Sequence, residues 1–191
     1  KVDASCSVII SVNNSLFYWC IEAFGSEEQK QKYLPDLALG NMIGAFCLSE
    51  PEAGSDATSQ RTTAIDMGDH YLLNGTKNWI TNGGHAGLYL VIAQSHTEKK
   101  HRGINVFIVD RNWKGVTVGA KENKMGIRAS DTHSIMFQDV IVPKENRIGE
   151  DGFGFKFAMK TLDGGRIGIA SQALGIASGA YELAVAYSKE R

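Results

Sequence analysis

Apolar residues change their spacing twice along the chain. Over residues 1–40 they follow a helical period. Val2, Cys6, Ile9, Ile10 and Asn13 recur at intervals of three and four, and Val8, Val12, Leu16 and Phe17 widen the stripe. A helix apolar over so much of its surface is expected to be buried on several sides. Phe24-Gly25 ends it. Ser26 then opens a second helix, with Gln29 three residues later and Glu27 and Glu28 in the first turn, a capping-box pattern with favourable dipole charges. Pro35 predicts a kink or break inside this helix, and Gly40 predicts its stop.

From 41 to 150 the pattern becomes that of strands. The runs 87–93 (Gly-Leu-Tyr-Leu-Val-Ile-Ala) and 104–109 (Ile-Asn-Val-Phe-Ile-Val) are rich in β-branched and aromatic residues. Val116-Thr117-Val118, 134–137 and 140–142 add shorter strands. Asn74-Gly75 and Asp66-Met67-Gly68-Asp69 read as turns between strand-like runs. The charged stretch 96–102 reads as a solvated loop. The spacing predicts a compact antiparallel barrel or sandwich. From 152 to 190 the helical period returns through Leu162, Ile169, Ala173, Ile176, Ala180, Leu183 and Ala184. Gly164, Gly165, Gly168, Gly175 and Gly179 interrupt it, each costing roughly 1 kcal/mol against alanine. Such a backbone implies close approach by another helix or a ligand. The fold class is therefore α+β, divided as 1–40, 41–150 and 151–191, and it lacks the β-α-β alternation of a parallel sheet.

Composition narrows the possible functions. The 191 residues carry 20 Lys and Arg against 21 Asp and Glu, a net charge of −1. With 43% hydrophobic and 21% charged residues the chain is that of a folded protein of one large or two small domains, not a disordered one. The near-zero balance argues against a nucleic-acid binder that works by counterion release. No stretch reads as the roughly 20 apolar residues of a membrane span. Cys6, Cys20 and Cys47 have apolar neighbours and form no C-x-x-C pair, so they read as buried thiols in a reducing compartment. The opening Lys1-Val2-Asp3-Ala4 looks like mid-protein sequence, without a signal-like or transit-like start. The histidines are scattered without ligand spacing, so no metal site is expected. The dinucleotide fingerprint, the P-loop, H-E-x-x-H and G-x-S-x-G are all missing.

Two segments bear chemistry. In 46–56 (Phe-Cys-Leu-Ser-Glu-Pro-Glu-Ala-Gly-Ser-Asp) an apolar strand runs into hydroxyls, carboxylates, Pro and Gly. Such a strand-end loop can present N–H groups and hydroxyls to a ligand, although by composition alone an ordinary strand-to-turn transition is the simpler reading. In 77–84 (Lys-Asn-Trp-Ile-Thr-Asn-Gly-Gly), Trp79 and Thr81 alternate onto one strand face, where an indole and a hydroxyl suit an aromatic heterocycle with a hydrogen-bonding edge. A half-buried core Trp beside a turn is the simpler alternative.

These residues resemble a known family. The stretch 47–56 is similar to the first signature of the acyl-CoA dehydrogenases, and Trp79-Ile80-Thr81 to that family's second flavin-contacting strand. Lys124-Met125-Gly126-Ile127-Arg128-Ala129-Ser130, 149–154 (Gly-Glu-Asp-Gly-Phe-Gly) and Leu162-Asp163-Gly164-Gly165-Arg166 are further family-like stretches, in the expected order. The stretches 11–16 and 166–175 look like the short-chain, butyryl-CoA type. The resemblance covers essentially the whole chain.

The resemblance implies the end of an N-terminal helical domain (1–40), a complete central β-domain (41–150), and the first long helix of a C-terminal helical bundle (151–191), in a protein about twice this length. It implies FAD-dependent α,β-dehydrogenation of short-chain acyl-CoA to trans-2-enoyl-CoA. Electrons would pass to an electron-transfer flavoprotein. A homotetramer in a bacterial cytoplasm or a mitochondrial matrix, within fatty-acid β-oxidation, is implied as well. By resemblance, Phe46, Leu48, Ser49, Gly54, Ser55, Trp79, Ile80 and Thr81 bind FAD. Ser55, Asp163, Gly164, Gly165 and Arg166 bind the acyl-CoA, although Asp163 and Arg166 alone would read as a surface ion pair. Family members draw their catalytic base from a later Glu or from the position before this Arg, which here is Gly165. No catalytic residue is therefore expected before Arg191, and the isolated polypeptide is expected to be inactive and to bind FAD weakly. The alternatives are an acyl-CoA oxidase or non-dehydrogenating flavoprotein of the same fold, or a non-catalytic β-domain for binding or assembly.

Overall fold

The computed structural model describes residues 2–191. A continuous helical run opens the fold: α1 (Ala4–Ser11), a π-helical stretch (Val12–Tyr18) and α2 (Trp19–Phe24). Asp3 caps α1 by accepting from the Cys6 N–H at 2.8 Å. The π turn has a visible partner. Asn13, buried within it, accepts the Gly44 N–H at 2.9 Å, and the Phe17 ring lies where a Gly44 side chain would be, 2.1 Å from an ideal Cβ. Only glycine permits that approach of strand to helix. By length and composition the 21-residue run Ala4–Phe24 could cross a membrane, which the sequence reading missed. Its buried Asn13, Phe17, Cys20 and Ile21 pack into the folded unit instead. Within this chain α1 has no buried residue, so the expected all-round burial does not hold. Cys6 is likewise exposed, whereas Cys20 and Cys47 are buried as expected.

Helix α3 (Glu27–Leu39) starts with the expected capping box: Ser26 Oγ accepts the Gln29 N–H, and Gln29 Oε1 accepts the Ser26 N–H. It ends at Gly40 in the left-handed conformation. Pro35 does not break it. The carbonyl deprived of a partner belongs to Gln31, one turn back on an exposed surface where water can bond it.

Among the described residues seven strands form one curled sheet: β1 (Gly44–Cys47), β2 (Thr63–Asp66), β3 (His70–Thr81), β4 (Leu88–Gln94), β5 (Ile104–Asp110), β6 (Val116–Lys121) and β7 (Thr132–Pro143). The order is β1-β4-β2-β3-β7-β6, with β5 on the other edge of β4. Most pairings are antiparallel, but β4 is parallel to β1 and touches β2 in parallel at Gln94. The turn at 66–69 forms as expected. Asn74-Gly75 is not a turn but a bulge inside β3, where the register against β7 shifts between Leu73 and Gly75. Asn74 there exchanges hydrogen bonds with Asp139, accepting its N–H at 2.8 Å, so the pair that looked like a hairpin tip cross-links two strands.

Every residue of β4 is buried. Alternation sends Tyr89, Val91 and Ala93 inward to Tyr71, Leu73, Phe107, Ile135 and Phe137. It sends Leu88, Leu90 and Ile92 outward to Phe17, Ile21, Tyr33, Leu37 and Phe157 of the helices. Each fully buried large side chain contributes about 1.5–3 kcal/mol. Helix α4 (Gly154–Glu190) enters this outer core with Phe157 and Ala158, then runs out of it.

Candidate functional site

Strand β1 delivers Phe46 to the outer side of the sheet, and the chain then leaves as Leu48-Ser49. The Asn78 N–H donates to the Ser49 carbonyl at 2.8 Å, so the end of β1 lies against the middle of β3. There β3 is irregular. Its register against β7 shifts between Lys77 and Ile80, and Trp79 has φ 61°. A bulky residue in that region is strained, a feature that collects at functional sites. The bulge turns the Trp79 indole outward to 62% exposure while Ile80 stays buried. Asn82 is also left-handed at φ 65°, so Ile80-Thr81 is held between two kinks.

The turn after Thr81 is fastened from below. Asp131, itself buried, accepts the Gly84 N–H on its carboxylate at 2.7 Å and the Asn82 N–H on its carbonyl at 3.1 Å. The Tyr89 hydroxyl donates to the Gly83 carbonyl at 2.8 Å, and the Arg111 guanidinium donates to the Gly84 carbonyl.

Between these two edges lies a cleft of about 170 Å³. Phe46, Leu48 and Ser49 form one wall and Trp79, Ile80 and Thr81 the other; Val12 and Leu16 of the π turn and Leu162 of α4 close it. Six of the predicted cofactor residues thus share one pocket. The route differs from the expected simple alternation, since Trp79 and Thr81 reach it through the bulge. Gly54 and Ser55 do not line the cleft; they sit on the exposed loop beyond Ser49. Asp56 organises that loop, accepting the Thr58 hydroxyl and the Ser59 hydroxyl at 2.5 Å each. These bonds, from Ser59 first, hold its carboxyl below the usual range.

The predicted substrate residues divide. Asp163 and Arg166 pair with each other at 2.5 Å on the exposed face of α4, each side chain 71% accessible, outside the cleft. Gly165 faces inward: an ideal Cβ there would stand 3.0 Å from Leu16 Cδ2, so this glycine lets α4 close onto the cleft-lining Leu16. Gly164 has nothing within 4 Å of its Cβ position.

Sequence reasoning gave Lys77 and Glu50 no role of their own. Lys77 is fully buried and its Nζ contacts Glu50 Oε1 at 2.6 Å, the Leu48 carbonyl at 3.1 Å and Gln60 Oε1 at 3.1 Å. Burial raises the Glu50 pKa, but the Lys77 charge and hydrogen bonds outweigh it and hold the carboxyl below its ordinary value. The signal in the sequence was a lysine at a buried position of β3. Val12, Leu16 and Leu162 fall on apolar helix stripes and in family-like stretches but were given no site role; their place at the cleft needs the tertiary meeting of the first helical run with α4.

The chain matches three sequence families in order: "Acyl-CoA dehydrogenase, N-terminal domain" over 1–41, "Acyl-CoA dehydrogenase, middle domain" over 45–140, and "Acyl-CoA dehydrogenase, C-terminal domain" over 152–191. It is 53% identical over 191 residues to the short-chain specific acyl-CoA dehydrogenase of Clostridium acetobutylicum, covering all of this chain and 50% of that protein. The solved butyryl-CoA dehydrogenase of Megasphaera elsdenii superposes with a TM-score of 0.97 at 51% identity, over 99% of this chain and 50% of that one. A chain in a structure of the electron transferring flavoprotein of Acidaminococcus fermentans gives 0.97 at 52%, over 100% and 50%. An acyl-CoA dehydrogenase of Bacillus anthracis complexed with FAD gives 0.90 at 39%, over 96% and 32%. The chain spans about half the length of the curated relatives it matches. Three domain families in sequence, with whole-chain likeness in sequence and fold, decide the assignment: the chain belongs to the acyl-CoA dehydrogenase family.

Proposed function

We propose that the protein carrying this chain is an FAD-dependent dehydrogenase of short acyl-CoA thioesters, passing electrons to an electron-transfer flavoprotein. The observation that carries this reading is the convergence of Ser49, Trp79 and Thr81 on one cleft with an apolar end. The residues fit a flavin. A flat tricyclic ring needs an aromatic or apolar bed and hydrogen-bonding partners along one edge. Phe46, Leu48 and Trp79 supply the first, and the Ser49 and Thr81 hydroxyls the second. When bound, FAD would supply the two-electron hydride acceptor.

The chain's own residues then have distinct tasks. Ser49 and neighbouring N–H groups would hold the pyrimidine edge, where they would favour negative charge. Thr81 would hydrogen-bond near the reactive nitrogen. Trp79, already turned outward, would pack against the ring and shield it from water. Gly54 and Ser55, on the exposed loop beyond Ser49, would hold the loop against the cofactor and the CoA arm, and Asp163 and Arg166 would turn from each other to bind the CoA moiety. The base that takes the α-proton comes from residues beyond Arg191, since Gly165 has no side chain to accept one.

Val12, Leu16 and Leu162 close the apolar end, which favours a short acyl chain. Purified from its complete reading frame, the protein should be yellow and should bleach anaerobically with butyryl-CoA. A colourless protein that takes up no FAD, or a flavin that butyryl-CoA leaves oxidised, sinks the proposal; rapid oxygen consumption would instead mark an oxidase. Leu16→Ala should raise the octanoyl-to-butyryl ratio of kcat/KM about tenfold, within the range for added methylene contacts.

A further inference from the structure

The chain between β1 and β2, from Leu48 to Thr62, contains no helix or strand, yet it carries one wall of the cleft. Backbone bonds hold only its extremes, the Asn78 N–H on the Ser49 carbonyl and the Gln94 N–H on the Thr62 carbonyl, each at 2.8 Å. Between those bonds, its two ends are also gathered at one buried side chain. Lys77 directs its ammonium to the Leu48 carbonyl and Glu50 at the departing end and to Gln60 at the returning end. Glu50 completes the clasp with Oε2, which accepts the Arg61 N–H at 2.6 Å and the Thr62 N–H at 3.2 Å. All three ammonium hydrogens and both carboxylate oxygens have partners.

Burying an ion pair is a poor way to gain stability, because apolar residues of the same volume usually do as well. What the pair adds is position. An ammonium at a fixed place on β3 accepts only one arrangement of the acceptors around it. Two residues further along the same strand stands Trp79. The clasp therefore references the first wall of the cleft to the second.

We propose that Lys77 is the positioning residue of this site: clamped by Glu50, it holds Leu48 and Ser49 in register with Trp79 and Thr81. This rests on the flavin reading above and deepens it. Glu50 is then the partner that keeps the ammonium aligned, with no part in proton transfer.

The test uses the holoenzyme from the complete reading frame. Lys77→Met with Glu50→Gln removes both charges at nearly constant volume, so no lone buried charge is left to unfold the domain. The double variant should melt cooperatively, yet bind FAD at least tenfold more weakly and lose kcat more than it raises KM. Loosening Ser49 at the pyrimidine edge should weaken the reduced flavin selectively. A tenfold loss there moves the two-electron potential down by about 30 mV. A residue that only props the fold would lower the melting temperature and leave the flavin potential alone. Lys77→Arg keeps the charge but displaces the Leu48 carbonyl, and it decides the matter should the double variant not fold; it should show the same potential shift in smaller degree. Wild-type FAD affinity and potential in a folded variant overturn the proposal. A wild-type protein without flavin would instead overturn the functional reading, so the two failures are distinguishable.

Discussion

Strands β4 and β5 bury their apolar residues within the chain, whereas helix α4 buries Phe157 and Ala158 and leaves most of its later apolar residues exposed. Both faces of β4 and β5 are covered within the chain, one by the curl of the sheet and the other by helices. Beyond Leu162, α4 exposes Ile167, Ile169, Leu174, Ile176, Tyr181, Leu183 and Tyr187, with Leu174 at 72%. Alternation at period two places strand residues against two covers at once, whereas a helix needs a neighbour on each side. Hydrophobicity therefore marks what must be covered; it does not say whether the cover is in the same stretch of chain.

The sharpest test of this contrast substitutes one residue in each region of the 191-residue polypeptide. Phe107 is fully buried against Tyr71, with ring centroids 4.8 Å apart. Phe107→Ala should cost about 3–5 kcal/mol in urea unfolding. Leu174→Ala should change stability by no more than about 0.5 kcal/mol. A large Leu174 effect in this polypeptide would mean that the α4 face is already covered, by self-association for instance, and the comparison would fail. In the complete protein the same substitution should become costly.

Thiol chemistry separates covered from uncovered positions in a second way. Burial pushes the Cys20 thiol up to about 12 from 9.0, with a Thr161 hydroxyl contact at 3.2 Å only partly opposing it. Three pKa units mean about a thousandfold less thiolate at a given pH. Burial pushes Cys47 up as well. Cys6 is exposed. An aromatic disulfide reagent at mildly alkaline pH should therefore titrate one thiol per native chain and three after denaturation. Fast labelling of Cys47 would contradict the sealed core beneath the cleft.

What could be read from the sequence follows the same division. The runs that became β4 and β5 were legible because burial on both faces leaves a near-continuous apolar signal. The capping box at Ser26 was legible because it is local. Asn74-Gly75 misled, since its defining contact is Asp139, 65 residues away. Trp79 and Thr81 were assigned to the same site by alternation, but a bulge brings them there, and period-two reasoning cannot see a bulge. The Lys77–Glu50 pair was hidden for a related reason: its partners are 27 residues apart, and each looks like a surface charge until the loop closes over them. Local patterns thus showed the frame, while the fastening of the cleft depends on contacts between distant segments.

The smallest effect tests where α4 turns from covered to uncovered. Gly164 and Gly165 are adjacent, so their helix-propensity costs are nearly equal. An alanine at 164 meets nothing within 4 Å, and Gly164→Ala should stabilise the polypeptide by about 0.5–1 kcal/mol. At 165 the new methyl would stand 3.0 Å from Leu16 Cδ2, so Leu16 must yield by a few tenths of an ångström, toward the cleft it lines. Part of the propensity gain is then spent on that displacement, and Gly165→Ala should stabilise measurably less than its neighbour. Urea unfolding of the two variants side by side gives the difference directly, with the shared helix cancelling out. Equal gains would mean that the π turn does not press on α4 at this point. The apolar end of the cleft would then be more open than its lining implies, and the argument for a short acyl chain would lose its support.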